Sequence, residues 1–69
     1  MNERERIGKR IAELRAQKGI SQAKLAELSG VGYSHIARIE TGRYSVGIDT
    51  LVKIGDALGV YLDFIQENK

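Results

Sequence analysis

The chain contains no cysteine, no proline and no tryptophan among its 69 residues. The lack of cysteine excludes disulfide bonds, thiol chemistry and cysteine-based metal sites. The sequence also has no apolar run long enough to span a membrane and no signal peptide, so we expect a protein of the cytoplasm. A chain this short forms one domain at most, covering residues 1–69, and has no room for a large substrate cleft.

The formal net charge is only +2, but basic and acidic side chains are unevenly distributed along the chain. Residues 1–45 contain nine basic and five acidic side chains, whereas residues 46–69 contain two basic and four acidic ones. A basic first part and an acidic second part indicate that one side of the protein meets a polyanion. The alternative at this point is a solvated surface whose asymmetry arises by chance.

Apolar residues recur at helical spacing, and glycines separate the segments in which they do so. In the first segment Ile7, Ile11 and Leu14 form one stripe, while Gly8 within it costs about 1 kcal/mol against alanine and therefore suggests a packing role. No segment reads as a strand. The pattern predicts a compact all-α domain of five helices, over residues 3–17, from 22 to the turn at 29–32, 33–40, 48–58 and 61–66.

The connection between the second and third predicted helices is the most informative part of the chain. Ser21 is a good N-cap for the second helix, and Gly30 can supply the positive φ of a tight turn before the third. Two short helices joined by a glycine-containing turn form the unit that proteins use to place a helix in a DNA groove. The sequence therefore predicts a helix-turn-helix.

Three stretches at these positions resemble the lambda-repressor-like, XRE-type helix-turn-helix family. The family includes Cro and cI-like phage repressors and the controller proteins of restriction–modification systems. The similarity extends through Leu51, Ile54 and the Gly59 region, so it covers nearly the whole chain. It implies a five-helix DNA-binding domain that usually acts as a dimer. The stretches are Gly19-Ile20-Ser21-Gln22-Ala23-Lys24-Leu25-Ala26-Glu27, Ser29-Gly30-Val31 and Ser34-x-Ile36-x-Arg38-Ile39-Glu40-x-Gly42.

The resemblance assigns Tyr33, Ser34 and Arg38 to the positions that face DNA base edges. The major groove of B-DNA admits a helix, and one arginine can donate to two acceptors on guanine, so Arg38 is the strongest candidate for direct readout. Ser34 could bond to a base or to a phosphate and therefore discriminates weakly. The alternatives are a solvated arginine at position 38 and a partly buried aromatic residue at position 33.

Contacts with the DNA backbone are expected from five further side chains. The resemblance places Gln22 and Arg43 at phosphate-contacting positions, whereas the other three are suggested by their own chemistry. Lys24 lies in the first turn of the second predicted helix, where a positive charge opposes the helix dipole, and a nearby phosphate would relieve that conflict. A solvated lysine is the alternative. His35, the only histidine, has no second ligand at metal-binding spacing, so we expect no metal and no cofactor. Its side chain lies either near a DNA phosphate or in solvent. These three residues are His35, Lys24 and Arg10.

Two further groups of residues are expected to be structural. The resemblance pairs Arg15 with Glu40 in a partly buried ion pair between the first helix and the end of the third. The last segment carries Tyr61, Phe64 and Ile65, more apolar residues than so small a core requires. We expect part of this segment to pack against a second copy of the chain; the alternative is a core within one chain.

These features predict a bacterial or phage-encoded regulator of transcription, associated with the nucleoid. It would bind double-stranded operator DNA as a homodimer, with half-sites about 10 bp apart in an inverted repeat. A protein-interaction module, such as an antitoxin whose main partner is another protein, is the alternative. An enzyme is not expected, because the chain has no carboxylate pair, activated nucleophile, phosphate-binding loop or metal cluster. No small-molecule ligand and no membrane association are expected either.

Overall fold

A computed structural model describes residues 2–67 and gives four α-helices over that range. They are α1 (Glu3–Gln17), α2 (Gln22–Ser29), α3 (Tyr33–Glu40) and α4 (Ile48–Leu58). The part of the chain that the structure describes contains no strand. The predicted all-α class and the first four predicted helices are therefore confirmed, with α2 and α3 joined by a short turn.

The prediction of a fifth helix over residues 61–66 is wrong, because this segment is irregular. Six residues can form only a turn or two of helix, and so short a helix is unstable unless its apolar face is covered. Phe64 is fully exposed, and Tyr61 and Ile65 are each 85% exposed. Tyr61 also lacks the short side-chain oxygen of a good N-cap, and the amide of Phe64 donates to the Asp63 carboxylate at 2.8 Å instead of to a helical carbonyl.

Local hydrogen bonds and turn residues explain where the first two helices begin and end. Asn2 caps α1, since its side chain accepts from the amide of Glu5 at 2.9 Å and the Glu5 carboxylate accepts from the amide of Asn2 at 3.1 Å. The hydroxyl of Ser21 accepts from the amide of Lys24 at 3.0 Å, as predicted for the start of α2. Gly30 ends α2 in the left-handed conformation, with φ of 73°. This turn redirects the chain into α3.

A single aliphatic core holds the four helices together. Within the described part of the chain, seven buried side chains form this core and eight partly buried ones surround it. Both α1 and α2 pack against α3, and α2 also packs against α4. Because α3 is buried on one face only, its opposite face is exposed to solvent. The core side chains are Ile11, Leu25, Val31, Ile36, Ile39, Ile54 and Leu58.

Gly8 allows α1 to approach the last turn of α3 closely. A Cβ atom at this position would overlap the carbonyl oxygen of Ile39 and would lie 2.8 Å from that of Glu40. Both obstacles are main-chain atoms, which cannot rotate aside as the end of a long side chain can. The packing role predicted for this glycine is therefore confirmed.

Two kinds of feature are missing from residues 2–67. No helix in this range has both the length and the hydrophobicity needed to cross a membrane. No cluster of three or more histidine, aspartate or glutamate side chains is placed to hold a metal ion there.

Candidate nucleic-acid interface

The outer face of α3 presents polar and aromatic side chains to solvent. Ile36 and Ile39 are buried beneath the helix, whereas Tyr33, Ser34 and Arg38 are exposed, Tyr33 to 55% of its surface. Because Ser34 and Arg38 are four residues apart, they lie on one side of the helix. The structure thus brings the three candidates for base readout onto one exposed helix.

Arg38 and Arg43 are exposed cations without a carboxylate partner among residues 2–67. The amide of Arg43 donates to the carbonyl of Arg38 at 3.1 Å, so the two residues are close in the backbone as well. In contrast, four other cations within this range have a carboxylate partner within 4 Å, namely Arg6, Arg10, Arg15 and Lys24. The positive charge on and after α3 is therefore available to an external anion.

A hydrogen-bonded network holds the C-terminal end of α3 against α1 and α2. Arg15 donates to both oxygens of Glu40, at 2.7 and 3.0 Å, and its third bond reaches the carbonyl of Ile20 at 3.0 Å. The side-chain amide of Gln22 also donates to Glu40, at 3.0 Å. The Glu40 side chain is only 6% exposed and that of Arg15 21% exposed, so the pair is largely removed from water. The network fixes α3 relative to the start of α2.

Hydrogen bonding to Glu40 favours the cationic form of Arg15. The bonds from Arg15 to Glu40 raise the pKa of the guanidinium above its ordinary value, while partial burial opposes that rise. An arginine is already cationic at any pH at which the protein is folded. The ion pair holds α1 against the end of α3.

Lys24 and Arg10 each pair with a carboxylate on their own helix. Lys24 lies about 200° around α2 from Gln22 and pairs with Glu27 at 2.8 Å. Arg10 lies about 200° around α1 from Gly8, the residue that faces α3. It pairs with Glu13 and lines a groove between α1, α4 and the C-terminal segment. Backbone contacts by these two cations stay predictions.

The structure also brings together two aromatic side chains that the sequence analysis did not connect. The ring of His35 on α3 stacks on that of Tyr44 in the following loop, with centroids 5.2 Å apart and planes 17° from parallel. Nine positions separate these residues, a spacing that belongs to no local structural motif. Tyr44 could have been noticed in the sequence only as an aromatic residue next to Arg43.

The C-terminal segment carries the candidates for contact with a second chain. Phe64 has its whole side chain in solvent, and Tyr61 and Ile65 have most of theirs exposed. These three residues therefore contribute little to the core of their own chain. Ile48 and Val52 on α4 add further exposed apolar surface.

Comparison with known proteins identifies the class of domain to which this arrangement belongs. The helix-turn-helix family HTH_3 matches residues 11–65, which include all of α2, α3 and α4. The chain belongs to this XRE-type helix-turn-helix family. The family resemblance noted from the motifs is thereby confirmed.

The relatives of the chain within this family are named as regulators and repressors. It is 44% identical over 61 residues to the HTH-type transcriptional regulator PuuR of Escherichia coli, covering 87% of this chain and 33% of PuuR. It is 34% identical over 59 residues to the immunity repressor protein of Bacillus phage phi105, covering 86% of this chain and 41% of the repressor. The chain therefore spans between a third and a half of the length of these curated relatives.

Solved structures confirm the fold at similar levels of identity. The restriction-modification controller protein C.AhdI of Aeromonas hydrophila matches with a TM-score of 0.81 and 37% identity, covering 83% of this chain and 86% of that one. The clp gene regulator ClgR of C. glutamicum matches with a TM-score of 0.82 and 34% identity, covering 86% and 76%. The four helices thus have the arrangement of known helix-turn-helix regulators.

Proposed function

We propose that this chain is a transcriptional regulator that binds double-stranded DNA at a specific sequence, as a homodimer on an inverted repeat. The observation that carries the proposal is the exposed, unpaired guanidinium of Arg38 on the outer face of α3. Its helix is held from behind by Ile36, Ile39 and the bonds of Glu40. A rigid helix with a free arginine is what direct readout in the major groove requires.

Each exposed group near α3 has a contact that suits its chemistry. Arg38 donates to two acceptors of one guanine, while Ser34 and Tyr33 approach neighbouring bases. Arg43 pairs with a phosphate just outside the groove. The side-chain amide of Gln22 donates one hydrogen to Glu40, and its second hydrogen is free to donate to a phosphate on the other side of the helix-turn-helix. The binding needs no cofactor, no small-molecule ligand and no catalytic step.

The uncovered C-terminal segment supports a homodimer. Exposed apolar side chains grouped in one segment are typical of a surface that meets another protein. A second copy of the chain would cover Tyr61, Phe64 and Ile65 and would bring a second α3 to the same face. Two-fold symmetry then places the recognition helices about 34 Å apart, one turn of B-DNA, so that each reads one half-site.

The names of the relatives support regulation as the outcome of binding. PuuR and ClgR are named regulators, and the phi105 protein is named an immunity repressor. Because this chain spans only a third of PuuR, the name of that relative does not by itself assign an activity to this chain, and we propose regulation as its role. A DNA-binding regulator encoded by a bacterium or phage acts at the nucleoid, in the cytoplasm.

The test is a selection of bound duplexes from a random pool at moderate salt, followed by sequencing. Wild-type protein should enrich an inverted repeat with half-site centres about 10 bp apart. Arg38→Ala should lose preference at one base pair in each half-site, worth about 1–3 kcal/mol. Lys53→Ala, which removes one exposed cation from α4, is the control and should keep the site unchanged. An unchanged site with Arg38→Ala would contradict the proposed readout.

A protein-interaction module is the second candidate, and the full exposure of Phe64 favours it. In that case the segment 60–67 would dock on a different protein, as an antitoxin docks on its toxin. Folded wild-type protein would then enrich no duplex in the selection. Its DNA binding would also lack the steep salt dependence that phosphate contacts produce.

A further inference from the structure

The loop that follows α3, residues 41–47, is anchored at its beginning. The hydroxyl of Thr41 and the amide of Arg43 both donate to the carbonyl of Arg38, at 2.9 and 3.1 Å. Gly42 between them has a φ of 76°, which favours glycine, and lies directly against α1. A Cβ atom there would come within 2.7 Å of Cγ and 2.8 Å of Cα of Glu5. The backbone therefore leaves α3 along one fixed path.

The stack of His35 and Tyr44 is a second anchor for the same loop. The centroid distance of 5.2 Å lies in the range in which parallel aromatic rings attract each other. Both rings are exposed, so the pair lies on the surface and not in the core. His35 lies on α3 three residues before Arg38, and its stack on Tyr44 joins the exposed surface of this helix to the loop. Arg43 thus lies between a backbone anchor on one side and a stacked ring on the other.

We propose that the stack of His35 on Tyr44 positions Arg43 to bind a DNA phosphate beside the groove that α3 enters. This inference rests on the function proposed above and assigns a role to Tyr44, which the family pattern does not single out. A long arginine on a free loop loses conformational entropy when it binds. Fixing the backbone at residues 43 and 44 removes that cost before DNA arrives, and without the stack the cost would offset the gain from one phosphate contact.

The charge of the loop fits a phosphate as the ligand. Arg43 has no carboxylate partner within residues 2–67, and residues 41–47 themselves contain no acidic side chain. Arg38, whose carbonyl accepts from Arg43, adds a second cation nearby. A phosphate of the strand flanking the base read by Arg38 would therefore meet two positive charges. The Glu5 side chain, which lies against Gly42, has its carboxylate bonded to the amide of Asn2.

The test measures binding of the full chain to a fluorescein-labelled duplex carrying the selected site, by anisotropy, over a series of salt concentrations. Loss of one phosphate contact lowers the slope of log K against log salt by about 0.9. Arg43→Ala, Tyr44→Ala and His35→Ala should each lower the slope by about that amount. Each should also weaken binding about tenfold, as loss of a hydrogen bond to a charged group does. Lys53→Ala should change neither quantity.

Two further variants separate positioning from direct contact. Tyr44→Phe keeps the ring and removes the hydroxyl, so it should bind as wild type does. The double variant of Arg43→Ala with Tyr44→Ala should bind no more weakly than Arg43→Ala alone, because both changes remove the same contact. Additive losses in the double variant, or a Tyr44→Phe variant as weak as Tyr44→Ala, would overturn the inference.

The outcome also distinguishes this inference from the proposed function. Circular dichroism and thermal melting first establish that each variant is folded, which we expect because both rings are exposed. If the Tyr44→Ala variant bound DNA as tightly as wild type and with the same salt dependence, the positioning role alone would be overturned. Absence of salt-sensitive binding by folded wild-type protein would overturn the proposed function and, with it, the role of Arg43.

Discussion

The contact of Gly8 with α3 leads to a sharp prediction for the substitution Gly8→Ala. In an unconstrained helix this change stabilises by about 1 kcal/mol, because alanine is the better helix former. Here the added methyl group would overlap the carbonyl oxygen of Ile39 and would lie 2.8 Å from the oxygen and 3.0 Å from the carbon of Glu40's carbonyl. The two helices must therefore separate, or α1 must bend.

The magnitude follows from the rigidity of the obstacle. Inserting a methyl group into a packed core typically costs about 1–3 kcal/mol, and the upper end applies where main-chain atoms oppose it. Subtracting the propensity gain leaves a net loss of about 2 kcal/mol. For a domain of this size that lowers Tm by roughly 10 °C. Separation of the helices would also lengthen the bonds between Arg15 and Glu40, which join the same two elements.

The measurement is thermal and urea unfolding of Gly8→Ala beside Gly55→Ala. Gly55 is the matched control, since it also lies within a helix and is also buried. A Cβ atom there would meet one oxygen at 3.2 Å, the carbonyl of Val60 in the turn after α4. We expect Gly55→Ala to be close to neutral. A Gly8→Ala variant as stable as wild type, or equal losses in the two variants, would refute the reasoning.

Three more substitutions test other parts of the structure. Glu40→Gln should lower the free energy of unfolding by about 2 kcal/mol, because it leaves the largely buried charge of Arg15 without an anion. An unchanged urea midpoint would contradict this. Phe64→Ser should weaken dimerisation in sedimentation experiments without changing the stability of the monomer, since the Phe64 ring is fully exposed in a single chain. A monomer that melts earlier would show that the ring packs within its own chain. Lys24 holds the pKa of Glu27 below its ordinary value through a hydrogen bond and its charge. This pair therefore stabilises the fold at pH values above the ordinary pKa of glutamate, and the stabilisation is lost as the pH falls through the lowered pKa of Glu27. Glu27→Gln should therefore cause a small loss of stability at neutral pH that disappears as the pH falls through the lowered pKa, as measured by urea unfolding at neutral and at acidic pH.

Most of the secondary structure could be predicted from short-range patterns. The stripe of Ile7, Ile11 and Leu14 and the N-cap at Ser21 depend on residues within a few positions of one another, and their helices are confirmed. The capping box of Asn2 and Glu5 has equally local spacing, although the sequence analysis did not use it. The failure at residues 61–66 arises because a short apolar stripe forms a helix only when another surface covers it.

The candidate site could likewise be predicted only in part. The family pattern pointed to Arg38 on an exposed helix and to Arg15 with Glu40, and the structure places these residues accordingly. The pattern did not indicate that Gln22 also donates to Glu40, nor that Tyr44 covers His35. These contacts depend on how α1, α2 and the loop after α3 meet. Side chains far apart in sequence carry no joint periodicity that would reveal such contacts.

The sequence alone thus determined the four helices, the turn between α2 and α3, and the family, because each depends on local spacing and composition. Only the tertiary structure decided that Gln22 joins Arg15 at Glu40 and that Arg38 and Arg43 keep no carboxylate partner among residues 2–67. It also decided why Gly8 must lack a side chain. The physical reason is that pairing and close approach depend on distances between helices, which the fold of the whole chain sets.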